Sequence, residues 1–229
     1  VNAPDKAEPR VFVQSGLADL LAVVEALDAA GGALPEGAAI LELGCGVGRL
    51  LRHLPDGRGR VAATDINEDC LAWCRANLPG IECHLHGSTP PIGTLAGEAF
   101  DLIYANSVFT HIPLERQHAW LTEARRLLRP GGWLVATVLG VTHADLLLDP
   151  TARALLASRG ELEVHPEQTA DASDGSPTAF GAVFQTRKQQ EAAFGAVFEE
   201  CTVRERPGSQ DIIVSRRAVA NANDAPSAV

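Results

Sequence analysis

The chain has 229 residues, 46% of them hydrophobic, and a formal net charge of −10. That length supports one ordinary domain with a full core, and the acidic balance argues against a general nucleic-acid binder, which needs a basic face to neutralise phosphates. No apolar run approaches the ~18–20 residues that span a bilayer, and the polar, proline-containing start from Val1 to Arg10 lacks the apolar core of a signal peptide.

A cytoplasmic location is therefore expected, with no membrane partner. No methionine occurs, even at position 1, so the first residue is expected to follow processing or trimming. Five cysteines, an odd number, make a disulfide framework a poor reading. Cys70 and Cys74 are expected to pack as small apolar residues rather than to bind metal.

The periodicity of Leu17, Leu20, Leu21, Val24 and Leu27 predicts an amphipathic helix from Leu17 to Ala30, stopped by Gly31-Gly32. A buried strand is expected from Ala38 to Leu43, and a helix from Val47 to Leu54. A second strand runs from Arg60 to Thr64 and ends in Asp65. Asn67 then caps a helix reaching about Leu78. Ile81 to His86 and Ala99 to Ala105 read as further strands, separated by a loop containing Pro90-Pro91. A long helix from Leu114 to Leu128 stops at Arg129-Pro130-Gly131-Gly132, before a strand from Trp133 to Leu139. Strands alternating with helices at this spacing imply βαβ units and a parallel sheet covered on both faces.

After Leu139 the pattern loosens. Ala144 to Ser158 reads as one helix, and Glu163 to Pro177 as a polar lid or mobile loop. Lys188 to Phe198 reads as a helix. Glu199 to Arg206 and Gln210 to Arg216 form a hairpin around Pro207-Gly208. Residues 1–217 then make a single domain, and 218–229 an expected disordered tail.

Between the first strand and the following segment lies Glu42-Leu43-Gly44-Cys45-Gly46-Val47-Gly48. Glycines at alternate positions let the backbone turn sharply and bring a ligand close to main-chain N–H groups. No Gly-Lys-Ser/Thr closes the loop, which excludes a Walker-type phosphate site, and the third glycine comes one residue too early for G-x-G-x-x-G. A carboxylate at Glu42 repels a pyrophosphate and attracts a ligand bearing an amine and a sulfonium. The loop thus points to S-adenosylmethionine; a glycine-rich turn with no ligand is the bland alternative.

Four features in order make the chain resemble the Rossmann-like, class I, S-adenosylmethionine-dependent methyltransferases from about Val11 to Arg217. They are the glycine loop, Asp65 about twenty residues on, Phe100-Asp101-Leu102-Ile103-Tyr104, and Leu127-Leu128-Arg129-Pro130-Gly131-Gly132. Ser15-Gly16, Arg49, Arg52-His53, Ser107-Val108-Phe109-Thr110-His111 and Gln210-Asp211 are similar to a bacterial small-molecule subgroup. The resemblance implies an α/β, doubly wound, seven-stranded and mostly parallel sheet in the order 3-2-1-4-5-7-6, with helices on both faces. It implies S-adenosylmethionine as cofactor and S-adenosylhomocysteine as product; no metal is expected, since no His or Cys pair at ligand spacing completes a set. Its cofactor-binding residues would be Glu42, Gly44, Cys45, Gly46, Gly48, Asp65, Ile66, Gly87, Ser88, Asn106 and Ser107. Asp65 would grip the ribose hydroxyls.

Many relatives carry an acidic residue after the third strand; here Gly87-Ser88 stand there, which leaves the adenine to backbone groups or the Ser88 hydroxyl. His111, after the fourth strand, is the candidate general base, with a loop-supporting role as its alternative. Arg49 is expected to pair with Glu42, with an anionic substrate group as the alternative partner, and Tyr104 to be a core aromatic, with a wall of the methionine pocket as its alternative. The expected reaction is methyl transfer to a small molecule, at oxygen, on a sugar-containing or secondary metabolite. A protein or RNA methyltransferase and a non-catalytic cofactor-binding partner subunit are the alternatives. A homodimer is left open.

Overall fold

The computed structural model describes residues 8–55, 59–164 and 181–219. Nine strands and six α-helices occur among them: α1 (Pro9–Ala29), β1 (Ile40–Leu43), β2 (Val61–Asp65), α2 (Glu68–Asn77), β3 (Ile81–Leu85), β4 (Phe100–Ala105), α3 (Leu114–Leu127), β5 (Leu128–Val138), α4 (Val141–Leu147), α5 (Pro150–Arg159), β6 (Glu161–Val164), β7 (Ala182–Gln185), α6 (Arg187–Gly195), β8 (Glu200–Arg204) and β9 (Asp211–Arg216). Seven strands form one sheet in the order β3-β2-β1-β4-β5-β9-β8. The first five are parallel, and β9 enters antiparallel between β5 and β8. This is the expected order once β6 and β7, which pair as a separate small sheet, are counted.

Alternation along the strands sends their side chains to two layers. Leu41, Leu43, Ile103 and Ala105 face α3 and α6 with Phe109, Trp120, Leu121 and Phe194. Ile40, Leu102, Tyr104 and Val135 face α1 with Leu20, Val23 and Leu27. Asn67 caps α2 as expected, its side chain accepting from the Asp69 and Cys70 N–H groups.

Several boundaries differ from expectation, each for a physical reason. The helix expected from Val47 to Leu54 is reduced to turns and a single 3-10 turn at Leu51–His53. Gly44, Gly46 and Gly48 all adopt left-handed φ, so the chain is still turning where the helix was expected to start. The helix expected from Ala144 to Ser158 is two helices, because Asp149 caps α5 and Pro150 opens it. The Arg129-Pro130-Gly131-Gly132 segment lies within β5, which interrupts its ladder with β4 between Phe100 and Leu102.

The apolar stripe of α1 is rotated from the expected one. Leu17, Leu21 and Val24 are exposed, while Gly16, Leu20, Val23, Ala26 and Leu27 face inward. Gly16 explains the rotation: a Cβ there would lie 2.1 Å from the Arg49 carbonyl oxygen, so this glycine is the point of closest approach to the loop after β1. The segment expected to be a lid keeps Glu163 and Val164 in β6; its remainder, and residues 220–229 of the expected tail, lie outside the described residues. No helix among the described residues is long and apolar enough to cross a membrane.

Candidate active site

The order of connection reverses between β1 and β4: β2 and β3 lie on one side of β1, and β4 and β5 on the other. Such a switch point opens a crevice beyond the carboxyl ends of parallel strands. A cavity of about 450 Å³ occupies it. Leu43 and Gly44 come to it from β1, Asp65 and Ile66 from β2, His86 and Ser88 from beyond β3, and Ser107, Val108 and His111 from beyond β4. Arg116 and Trp120 reach it from α3, and Glu163 and Gly181 from the small sheet and its continuation.

Asp65 is held from two sides. Its Oδ2 accepts the Gly46 N–H at 2.7 Å and its Oδ1 accepts the Asn67 N–H at 2.9 Å. Each carboxylate oxygen keeps a further lone pair, so two vicinal hydroxyls can still be received. The same bonds tie the glycine loop to the end of β2. Replacing Asp65 with alanine should therefore weaken S-adenosylhomocysteine binding by at least about 1.5–3 kcal/mol, the worth of one charge-assisted hydrogen bond. Calorimetric titration of the variant measures this, and unchanged affinity would remove Asp65 from the site.

The loop offers proximity more than donors, contrary to the expectation from its glycines. Gly44 and Cys45 N–H groups both donate to the Thr64 carbonyl, and that of Gly48 donates to the Cys45 carbonyl. Gly44, with φ of 71°, lies against Val108, whose Cγ2 would be 2.5 Å from a Cβ at position 44. A Cβ at Gly46 would meet nothing within 4 Å, which leaves that turn open to a ligand. Cys45 and Gly48 are interior packing positions: the Cys45 thiol donates to the Gly46 carbonyl, and Gly48 abuts Leu78 and Cys74.

Glu42 is 2% exposed and lies under the loop. It accepts a hydrogen bond from the Tyr104 hydroxyl at 3.0 Å, so the core aromatic expected at 104 also has a polar task. Burial pushes the Glu42 carboxyl up to about 8; the Tyr104 bond and the Arg49 charge offset this only in part. Arg49 pairs with Asp19 of α1 at 2.7 Å and not with Glu42. The rotation of α1 brings Asp19 and Ser15 to the guanidinium, which corrects the sequence expectation.

On the far wall, Ser107 lines the cavity and Asn106 stands beside it, half-buried and outside the lining. His111 is exposed to the cavity. Its Nδ1 lies 2.9 Å from the Gly181 carbonyl, which can only accept, so Nδ1 carries a proton in this contact. Gly87 is outside the lining, its carbonyl engaged by His86 Nδ1 at 2.7 Å, and the Ser88 carbonyl accepts from Trp120 Nε1. Each of these two carbonyls thus already accepts one hydrogen bond. The wall there also includes His86 packed edge-on to Trp120, with ring centroids 5.0 Å apart. The sequence does not mark either residue as lining, because their partnership joins the chain just after β3 to α3.

The donor set fits a nucleoside-bearing cation: a pinned carboxylate for hydroxyls, an open glycine turn, an aromatic wall and a buried acid near the loop. Among the described residues no group of three or more His, Cys, Asp or Glu could hold a metal ion.

A family model described as a methyltransferase domain matches residues 41–136. Trans-aconitate 2-methyltransferase of Variovorax paradoxus is 33% identical over 132 residues, 56% of this chain and 47% of that protein. A ubiquinone biosynthesis O-methyltransferase of Cereibacter sphaeroides is 31% identical over 112 residues, 45% of this chain and 42% of its own length. The chain thus spans about half the length of the curated relatives it matches. The crystal structure of an S-adenosylmethionine-dependent methyltransferase from Mesorhizobium loti superposes with a TM-score of 0.61 at 18% identity, covering 87% of this chain and 96% of that one. The glycine loop lies in the segment that matches the methyltransferase domain model, and the sheet has the fold of the S-adenosylmethionine-dependent methyltransferase structure.

Proposed function

We propose that this protein transfers a methyl group from S-adenosylmethionine to an oxygen of a small molecule. The observation that carries the reading is the shared cavity: Asp65 and the glycine loop stand at one wall, and His111 at the other. Its volume of about 450 Å³ lies within the range of small-ligand sites. The names of the relatives support the acceptor class, since one is a trans-aconitate methyltransferase and another an O-methyltransferase of ubiquinone biosynthesis.

The cofactor would supply a methyl group already activated on a sulfonium sulfur. The protein's work is then to hold two partners in line and keep water out. Asp65 and Gly46 would fix the nucleoside end, and Ser107 and Val108 would border the reacting end. His111 Nε2 would take the proton of the acceptor hydroxyl as its oxygen bonds to the methyl carbon and the carbon–sulfur bond breaks. The Gly181 carbonyl holds the imidazole in the tautomer that this needs.

Methyl-labelled S-adenosylmethionine incubated with the protein and a mixture of small hydroxylated acids and phenols tests the reading. Label recovered in a small molecule supports it. Label recovered only in added protein or RNA overturns the acceptor class. Binding of the cofactor without label transfer to any of the three identifies a non-catalytic module.

A further inference from the structure

The antiparallel strand β9 begins next to the cavity without contributing to its lining, and the residue before it makes a closed set of contacts. Gln210 Oε1 accepts from the Thr137 hydroxyl at 2.5 Å, and Gln210 Nε2 donates to Ser107 Oγ at 2.9 Å. Thr137 Oγ1 in turn accepts the Ser107 N–H at 2.7 Å. Thr137 is buried in β5, so this triangle ties the chain just after β4, the end of β5 and the residue before β9 at one point.

Ser107 has φ of 58°. That left-handed conformation is costly for any residue other than glycine and persists only where the surroundings enforce it. Both its backbone N–H and its hydroxyl are enforced here. The consequence reaches the other wall: the next residue, Val108, is the side chain that sits on Gly44 of the glycine loop.

Gln210 is itself anchored. Neighbouring Asp211 is buried, accepts from Gln190 Nε2 at 3.1 Å and from the Arg206 N–H at 3.1 Å, and touches Gly140 so closely that a Cβ there would be 1.7 Å from its Oδ2.

We propose that Gln210 is a positioning residue for the cavity, acting through Thr137 and Ser107 to hold the left-handed turn that sets Val108 against Gly44. The proposal rests on the cofactor reading above for its binding readout, and on the turn alone for its structural one. Without Gln210, Ser107 relaxes toward ordinary backbone, Val108 leaves the glycine loop, and ligand binding has to rebuild the wall.

A double-mutant cycle with Ser107→Gly tests this, because glycine adopts positive φ without enforcement. Gln210→Ala is expected to weaken S-adenosylhomocysteine binding about tenfold in the otherwise unaltered protein. Ser107→Gly alone is expected to cost some affinity through its lost hydroxyl. Adding Gln210→Ala to Ser107→Gly should then cost less than about twofold. An equal tenfold loss in both backgrounds, or no loss in either, overturns the proposal. Hydrogen exchange at the Ser107 amide gives a readout that needs no ligand: Gln210→Ala should remove its protection while the β5 and β9 ladder amides keep theirs. Retained protection at Ser107 overturns the proposal. Failure of the unaltered protein to bind the ligand would count against the cofactor reading alone.

Discussion

Replacing His111 with asparagine should slow methyl transfer by about 10²–10⁴-fold, the usual worth of a positioned general base. The asparagine amide nitrogen stands where Nδ1 stood and can still donate to the Gly181 carbonyl, so the loop that carries residue 111 should stay in place. What it lacks is a basic ring nitrogen. Single-turnover transfer of labelled methyl measures the loss, with S-adenosylhomocysteine affinity expected within about twofold of the unaltered protein. An undiminished rate would reduce His111 to a support for Gly181. Loss of affinity together with rate would point to the same structural role.

Replacing Glu42 with glutamine should stabilise the protein in alkaline solution and weaken its grip on a cationic ligand. Between pH 4.5 and about 8 the folded protein holds a proton on Glu42 that the unfolded chain has released. Stability from this group therefore falls as pH rises through that window, and the full penalty is present above it. Glutamine escapes the penalty and can still accept from Tyr104. The advantage of the variant should thus grow toward pH 8 and reach at most about 5 kcal/mol. Denaturant unfolding across that range measures it.

The charged groups around Glu42 sharpen the binding half of the prediction: Arg49 favours its ionised form, and Asp65 opposes it. A bound ammonium or sulfonium would add to the Arg49 effect and ionise Glu42. S-adenosylmethionine affinity of the unaltered protein should then rise with pH, by up to about tenfold per unit below 8, and that of the variant should not. Equal pH profiles would remove Glu42 from the ligand's field while leaving the stability argument intact.

The five parallel strands and the capped helix α2 were legible because each depends on a local pattern. A short apolar run fixes a buried strand, and Asn67 at the start of a helix accepts from the N–H groups two and three residues on. Candidate residues that follow strand ends come together for the same reason: Gly44, Asp65, Ile66, Ser88, Ser107 and His111 all line the cavity.

The face of α1 was misread because hydrophobic periodicity counts leucines and gives no weight to a glycine. Gly16, pressed against the Arg49 carbonyl, decides which side of that helix turns inward. The same rotation moved Arg49 from Glu42 to Asp19, a partner thirty residues away in sequence. The triangle of Ser107, Thr137 and Gln210 joins positions up to 103 residues apart, and the His86–Trp120 wall spans two elements. Neither has a spacing rule that a linear reading could use. The sequence also could not show that the loop's own N–H groups are bonded to Thr64, Cys45 and Asp65, since that depends on how closely β2 follows β1.

Calorimetric titration of the unaltered protein with S-adenosylhomocysteine near neutral pH tests the central claim most directly. Saturable one-to-one binding, tighter than about 1 mM, is the predicted result, an affinity worth at least about 4 kcal/mol. No detectable binding at millimolar ligand would contradict the assignment of this cavity to a sulfonium nucleoside.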